Sequence, residues 1–171
     1  NFNHDPSSGL ADAVFARDNI DPALIDRLLI KCAEKLNLFA SYASLDRTYD
    51  MDDESFNAII DSLRSMIPNI VLDIPHIWTS WARRALMSAD DVIIVAEPDL
   101  ANLRNTKSLF DTLGRDRRFD SKPRLALNFV TMPKRPEISV QDFSQALDVE
   151  PAISIGFDPK FFGTAANNGQ M

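Results

Sequence analysis

At 171 residues the chain has the length of one ordinary domain, enough to bury roughly 70 per cent of its unfolded surface, and its 45% hydrophobic and 25% charged residues exclude wholesale disorder. Its net charge of −7 weighs against strong intrinsic affinity for nucleic acid or anionic membrane, since both are polyanions. Cys32 is the sole cysteine, which excludes an intrachain disulfide and makes a reducing, cytosolic setting the default. In chain order, Leu10 to Phe15 forms a short helical patch, and Asp21-Pro22 has the form of a helix start, with Leu24, Ile25, Leu28, Leu29, Cys32 and Leu36 following at helical spacing. A strand is expected near Leu36 to Tyr42, followed by a charged connection through Asp46, Arg47 and Asp50. The clearest helix is Asp53 to Ile67, with Phe56, Ile59, Ile60, Leu63, Met66 and Ile67 on one face, Asp52 or Asp53 as cap, and Pro68 as its stop.

Asn69 to Asp73 reads as a buried strand, Thr79 to Met87 as a helix opened by Thr79 or Ser80, and Asp91 to Ala96 as a second buried strand. Pro98 and Asp99 open a long helix whose inner stripe is Leu100, Leu103, Phe110 and Leu113, and Gly114 is placed to close it with a left-handed cap. Arg124 to Phe129 is a third buried strand, Met132 to Pro136 a Pro-rich loop, Ser139 to Leu147 a helix, and Ala152 to Phe157 the last strand. This alternation specifies an α/β fold with a three-layer, mostly parallel sheet and helices on both faces. Ligands in such sheets gather outside the strand carboxyl ends, so Asp73-Ile74-Pro75-His76 and Glu97-Pro98-Asp99 are the first places to look.

At the end of a central strand, Asp73 can hold Mg²⁺ through its water shell beside a nucleotide's phosphates, or it can simply cap the following turn. A lone His such as His76 is more often a surface hydrogen-bonding group than a proton carrier, and Trp78 and Trp81 are expected to pack against the sheet. Asn128 at its strand end can read a base edge, because an amide offers both donor and acceptor, or can be a satisfied turn residue. Lys134 and Arg135, between Pro133 and Pro136, read as a solvated surface rather than a phosphate clamp, and Arg115 to Arg118 as a charge run at a helix end. No nucleophile-elbow pattern and no Cys/His spacing suited to zinc occurs.

These residues together resemble the CpaE/TadZ group of pilus-assembly proteins, a divergent branch of the MinD/ParA nucleotide-switch ATPases. Ile70 to His76, IVLDIPH, looks like that family's second acidic motif and switch loop. Asp91 to Asn105 resembles the strand and long helix that follow, and Leu127-Asn128 the base-contacting strand end. Pro133 to Ile138 is similar to a loop of the pilus branch, Phe157-Asp158-Pro159 with Ala165 to Gly169 to the closing segment, and Asn1 to Gly9 to the stretch after the first acidic motif. The likeness covers nearly the whole chain, so residues 1–171 are expected to be the carboxyl-terminal portion of one MinD/ParA-like ATPase domain of P-loop NTPase type, without its first strand and P-loop.

The family binds ATP through a Gly-rich loop carrying lysines and a Mg-binding Ser/Thr, and no G-x-x-x-x-G-K-[ST] pattern or variant occurs here. The five glycines, at 9, 114, 156, 163 and 169, leave nowhere to place one. Without its backbone N–H groups and lysine, this chain alone is expected to bind nucleotide poorly and not to hydrolyse ATP. His76 and Ile77 also replace the small residue and Gly that usually follow the switch Pro, which puts a competent hydrolytic switch in doubt.

For the intact parent the resemblance implies ATP and Mg²⁺ as cofactors, with Asp73 as the catalytic and metal-binding carboxylate and Asn128, Phe157 and Asp158 at the base. It also implies a homodimer, pilus or secretion-apparatus proteins as partners, and a cytoplasmic location at a cell pole or peripheral to the inner membrane. Nucleic acid is not expected as a partner. The competing reading is a nucleotide-independent scaffold that uses the Asp99 to Leu113 helix and the Lys134 to Glu137 loop. A partitioning ATPase of ParA type is disfavoured by the 25 acidic against 18 basic residues.

Overall fold

The computed structural model describes residues 9–16, 19–40, 51–118 and 120–169. The expected stretch from Asn1 and the connection through Asp46, Arg47 and Asp50 therefore lie outside the described residues, apart from Gly9. The chain divides into two compact units, residues 1–84 with 168–171, and residues 85–167.

The first unit is mainly helical. Helices α1 (Leu10–Ala16), α2 (Pro22–Leu28) and α3 (Asp53–Met66) bury Ala13, Val14, Ile25, Leu28, Phe56, Ile59, Ile60 and Leu63. Asp21 caps α2 by accepting the Leu24 N–H at 2.7 Å with Pro22 at the first helical position, and Asp52 caps α3 by accepting the Ser55 N–H at 2.7 Å. Gly9 fits where a side chain would not: the Leu10 N–H donates to Ala40 O at 2.8 Å, and a Cβ on Gly9 would stand 2.2 Å from that same oxygen.

The helical spacing read through Cys32 and Leu36 ends earlier than expected. Residues beyond Leu28 form instead an antiparallel hairpin of β1 (Ile30–Ala33) and β2 (Leu36–Leu38), with the strand expected to reach Tyr42 stopping at Leu38 and residues 41–42 outside the described set. Ile30 with Cys32 alternates with exposed Lys31 and Ala33, a two-residue period that a helical reading of the larger residues overlooks.

Asn69 to Asp73 is not a strand. Among the described residues nothing forms a ladder with it, and Val71 is 96% exposed. A strand exists through its neighbour's hydrogen bonds, so an apolar sequence without a partner remains irregular chain. The chain then makes two tight turns, Ile77 N–H to Pro75 O at 2.7 Å and Thr79 N–H to Ile77 O at 3.1 Å, before α4 (Ser80–Ser88). Trp78 is exposed, and Trp81 packs on Phe56 of α3 at 5.9 Å rather than against a sheet.

The second unit is built on a three-stranded parallel sheet, ordered β3 (Ile93–Ala96), β4 (Arg124–Val130), β5 (Ile153–Gly156). Ile94 pairs with Leu125 and Ala96 with Leu127, and Ala126 pairs with Ile153. Helices α5 (Leu100–Asp116) and α6 (Val140–Leu147) supply Leu103, Phe110, Phe143 and Leu147 to a core with Ala96, Leu125 and Leu127, while Leu113 closes a second cluster with Val92 and Ile94. The final helix is α7 (Pro159–Asn167). β3 was expected to be buried on both faces, yet Ile93 and Val95 are 62% and 63% exposed, because the helical core takes only the alternate side chains. Two features of α5 also differ: Leu100 is exposed while Thr106 is buried, and the helix continues through Gly114 to a cap at Arg117, so Gly114 is ordinary helix. The left-handed cap occurs instead on α6, at Asp148, with φ 52°.

Candidate functional site at the strand carboxyl ends

In the second unit the carboxyl ends of β3, β4 and β5 carry Glu97, Asp99, Asn128, Phe129, the loop 131–137, Phe157 and Asp158. The loop is tightly bound to the strands. Arg135 forms an ion pair with Glu97 just after β3, donates to Phe129 O at 2.7 Å, and approaches Glu137 at 3.3 Å. Glu137 accepts the Thr131 N–H at 2.9 Å and the Met132 N–H at 2.7 Å, and Ile138 N–H donates to Pro98 O at 2.9 Å. Phe129, Thr131 and Lys134 have φ of 55°, 61° and 64°, left-handed conformations that cost on the order of 1–3 kcal/mol each for residues other than glycine. The Arg135 and Glu137 bonds hold that strained path in place.

Arg135 is thus a half-buried organiser of the loop rather than solvated surface, while Lys134 is exposed as expected. Among the described residues the Arg135 Nε is buried with no hydrogen-bond partner. The signal for this role was the spacing of Arg135 and Glu137 around Pro136, which puts opposite charges two residues apart on a constrained turn. Burial pushes the Glu137 carboxyl up, but the N–H groups of Met132 and Thr131 and the Arg135 guanidinium outweigh it and hold the group below its ordinary range. Asp99 is also lowered, chiefly by the backbone N–H and side-chain amide of Asn102.

Asn128, Phe157 and Asp158 do gather at this end of the sheet, with local roles of their own. Asn128 Oδ1 accepts the N–H of Phe129 at 2.9 Å, which occupies part of its acceptor capacity. Phe157 donates its N–H to Val130 O at 2.9 Å and meets the Phe129 ring edge-to-face, centroids 5.9 Å apart. Asp158 accepts the Phe161 N–H at 2.8 Å and so caps α7, with Pro159 first in the helix. The dipeptide Asp158-Pro159 repeats the Asp21-Pro22 helix start, a signal that could have located α7.

Asp73 belongs to the first unit and is exposed, as is His76. Mg²⁺ is commonly bound by one or two carboxylates with waters and substrate phosphates, so Asp73 has suitable chemistry, but among the described residues no group of three His, Cys, Asp or Glu forms a metal cage. The described residues do not fit a triphosphate. α5 and α7 begin at carboxylates, Asp99 and Asp158, which repel phosphate from positions where a helix would otherwise attract it. What this end of the sheet offers is an amide and a pair of aromatic rings packed edge-to-face.

No family model matches the sequence, and no curated protein matches it. Among solved structures, the chain is similar to a ParA family ATPase from Chlorobium tepidum TLS, with a TM-score of 0.79 and 20% identity over 98% of this chain and 68% of that one. The chain therefore has the α/β fold of a ParA-type P-loop NTPase.

Proposed function

We propose that the chain is the distal part of a MinD/ParA-like nucleotide-switch protein whose parent serves the assembly and localisation of a Flp/Tad-type pilus at the cytoplasmic face of a secretion apparatus. The observation that carries the switch reading is the ParA-type fold over 98% of the chain, with Asn128, Phe157 and Asp158 together at the strand ends. The pilus assignment rests on the motif likeness at Ile70 to His76 and Pro133 to Ile138. In the parent, Asp73 would be a carboxylate for Mg²⁺, and Asn128 with Phe157, in the second unit, would face a base. A bound metal would neutralise phosphate charge, and nucleotide binding would bring two copies together.

Light scattering of the gene's full-length product tests this. A doubling of mass on addition of Mg-ATP, lost in Asp73→Ala, is the expected result. Persistence of the shift in that variant removes Asp73 from the site. A nucleotide-independent scaffold is the second reading, favoured by the carboxylate caps of α5 and α7 and by the bond between Asn128 and Phe129. It is the outcome indicated by a mass that nucleotide leaves unchanged.

A further inference from the structure

We propose that the outward face of α5 is a docking strip for an acidic helical segment of a partner protein. This goes beyond nucleotide binding and stands on the second unit alone. Residues 104–124 carry seven basic and three acidic side chains, a local charge of +4 within a chain whose total is −7. Three of those basic residues have structural duties or exposed partners: Arg117 binds the end of α4, Arg124 pairs with Asp91, and Arg118 donates to Arg115 O.

Lys122 is exposed beyond α5; on α5 itself Arg104, Lys107 and Arg115, the last donating to Thr112 Oγ1 at 3.5 Å, are exposed and, with Ser108, Asp111 and Thr112, line a shallow open groove of about 430 Å³. Their spacing of three and eight residues sets them along one side of the helix over roughly 16 Å, the length of three turns. Charge along the groove runs positive, positive, negative, positive, with Asp111 as the negative member.

That sequence of charges selects among anions. A DNA duplex presents uniform negative charge, so Asp111 would oppose it in the middle of the contact, and the acidic remainder of the chain adds repulsion. Interfacial membrane helices insert an apolar face. The apolar face of α5 is consumed by the core through Leu103, Leu109, Phe110 and Leu113, leaving no apolar side chain in the groove. A protein helix can present carboxylates to the three cations and one Lys or Arg to Asp111, and complementary charge of this kind governs partner choice and association rate.

Fluorescence anisotropy at low and physiological salt tests the proposal with labelled helical peptides. One probe has Glu facing the three cations and Lys facing Asp111; the other has Glu at all four places. The matched peptide is expected to bind at least threefold more tightly than the all-Glu peptide. Arg104→Glu with Lys107→Glu should weaken it by tenfold or more at low salt, and Asp111→Lys should reverse the peptide preference. Lys160→Glu, on exposed α7, should leave binding unchanged, and circular dichroism should show all variants folded. Equal affinity for the two peptides, absence of binding, or an equal loss in Lys160→Glu overturns the proposal. Tighter binding of a 20-base-pair duplex or of anionic phosphatidylglycerol vesicles than of the matched peptide overturns it as well. Because no nucleotide is present, failure here leaves the switch reading untouched.

Discussion

Replacing Arg117 with Ala should destabilise the second unit by about 2–4 kcal/mol, far more than an ordinary surface substitution. Arg117 donates to Leu86 O at 2.7 Å and Ala89 O at 2.6 Å, and its Nε meets Asp120 at 2.6 Å. The carbonyls lie at or just beyond the end of α4, where a guanidinium both satisfies acceptors and opposes the helix dipole. Each charge-assisted bond is worth roughly 1.5 kcal/mol or more, whereas the pair with the half-exposed Asp120 adds only about 0–1 kcal/mol. Urea unfolding followed by circular dichroism should show the midpoint falling by roughly 1–2 M at a typical slope. Asp120→Asn should change stability by no more than about 1 kcal/mol. A loss below about 0.5 kcal/mol in Arg117→Ala, or an equal loss in Asp120→Asn, would show that the carbonyl bonds do not fix residues 86–89 within this unit.

Phe143, fully buried between α6 and the sheet, should cost about 3–5 kcal/mol when cut to Ala, measured by the same unfolding experiment. Val71→Asp should change stability by less than about 0.5 kcal/mol, since the side chain is already in solvent; a loss of several kcal/mol would restore the buried strand expected from sequence. The folded-state pKa of Glu137 lies below its ordinary value, so its contribution is fully present above that value, near 4.5, and is lost as pH falls through the folded-state pKa. Unfolding measured across acidic pH should therefore show a shallower loss of stability in Glu137→Gln than in the unmodified protein. The 171-residue chain alone should show only weak binding of a fluorescent ATP analogue, because it contains no Gly-rich phosphate loop.

Local chemistry was the most legible part of the sequence. Asp21, Asp52, Asp99 and Ser139 cap their helices through their own side chains, each accepting an N–H three residues on, which is short-range information. β3, β4 and β5 were likewise visible as apolar runs separated by helices. What a run pairs with is long-range information. Asn69 to Asp73 has a strand's composition without a ladder partner among the described residues, and β3 has a buried strand's composition with one face in solvent.

The site was legible in part for the same reason. Asn128 was placed by its position at a strand end, Phe157 and Asp158 by the likeness of their segment to the family's closing segment, and the parallel ladders bring those ends together. The role of Arg135 depends on Glu97, which lies 38 residues earlier and is brought near by the pairing of β3 with β4. No pattern around Pro133 to Pro136 specifies that partner.

The most direct test of the account is calorimetric titration of Mg-ATP into the gene's full-length product and its Asn128→Ala variant, with thermal melts to show that both are folded. Binding at one site per chain, weakened tenfold or more by the substitution, is the expected result if the base sits at the carboxyl ends of β3, β4 and β5. Binding that Asn128→Ala leaves unchanged, or no binding to either protein, would contradict it.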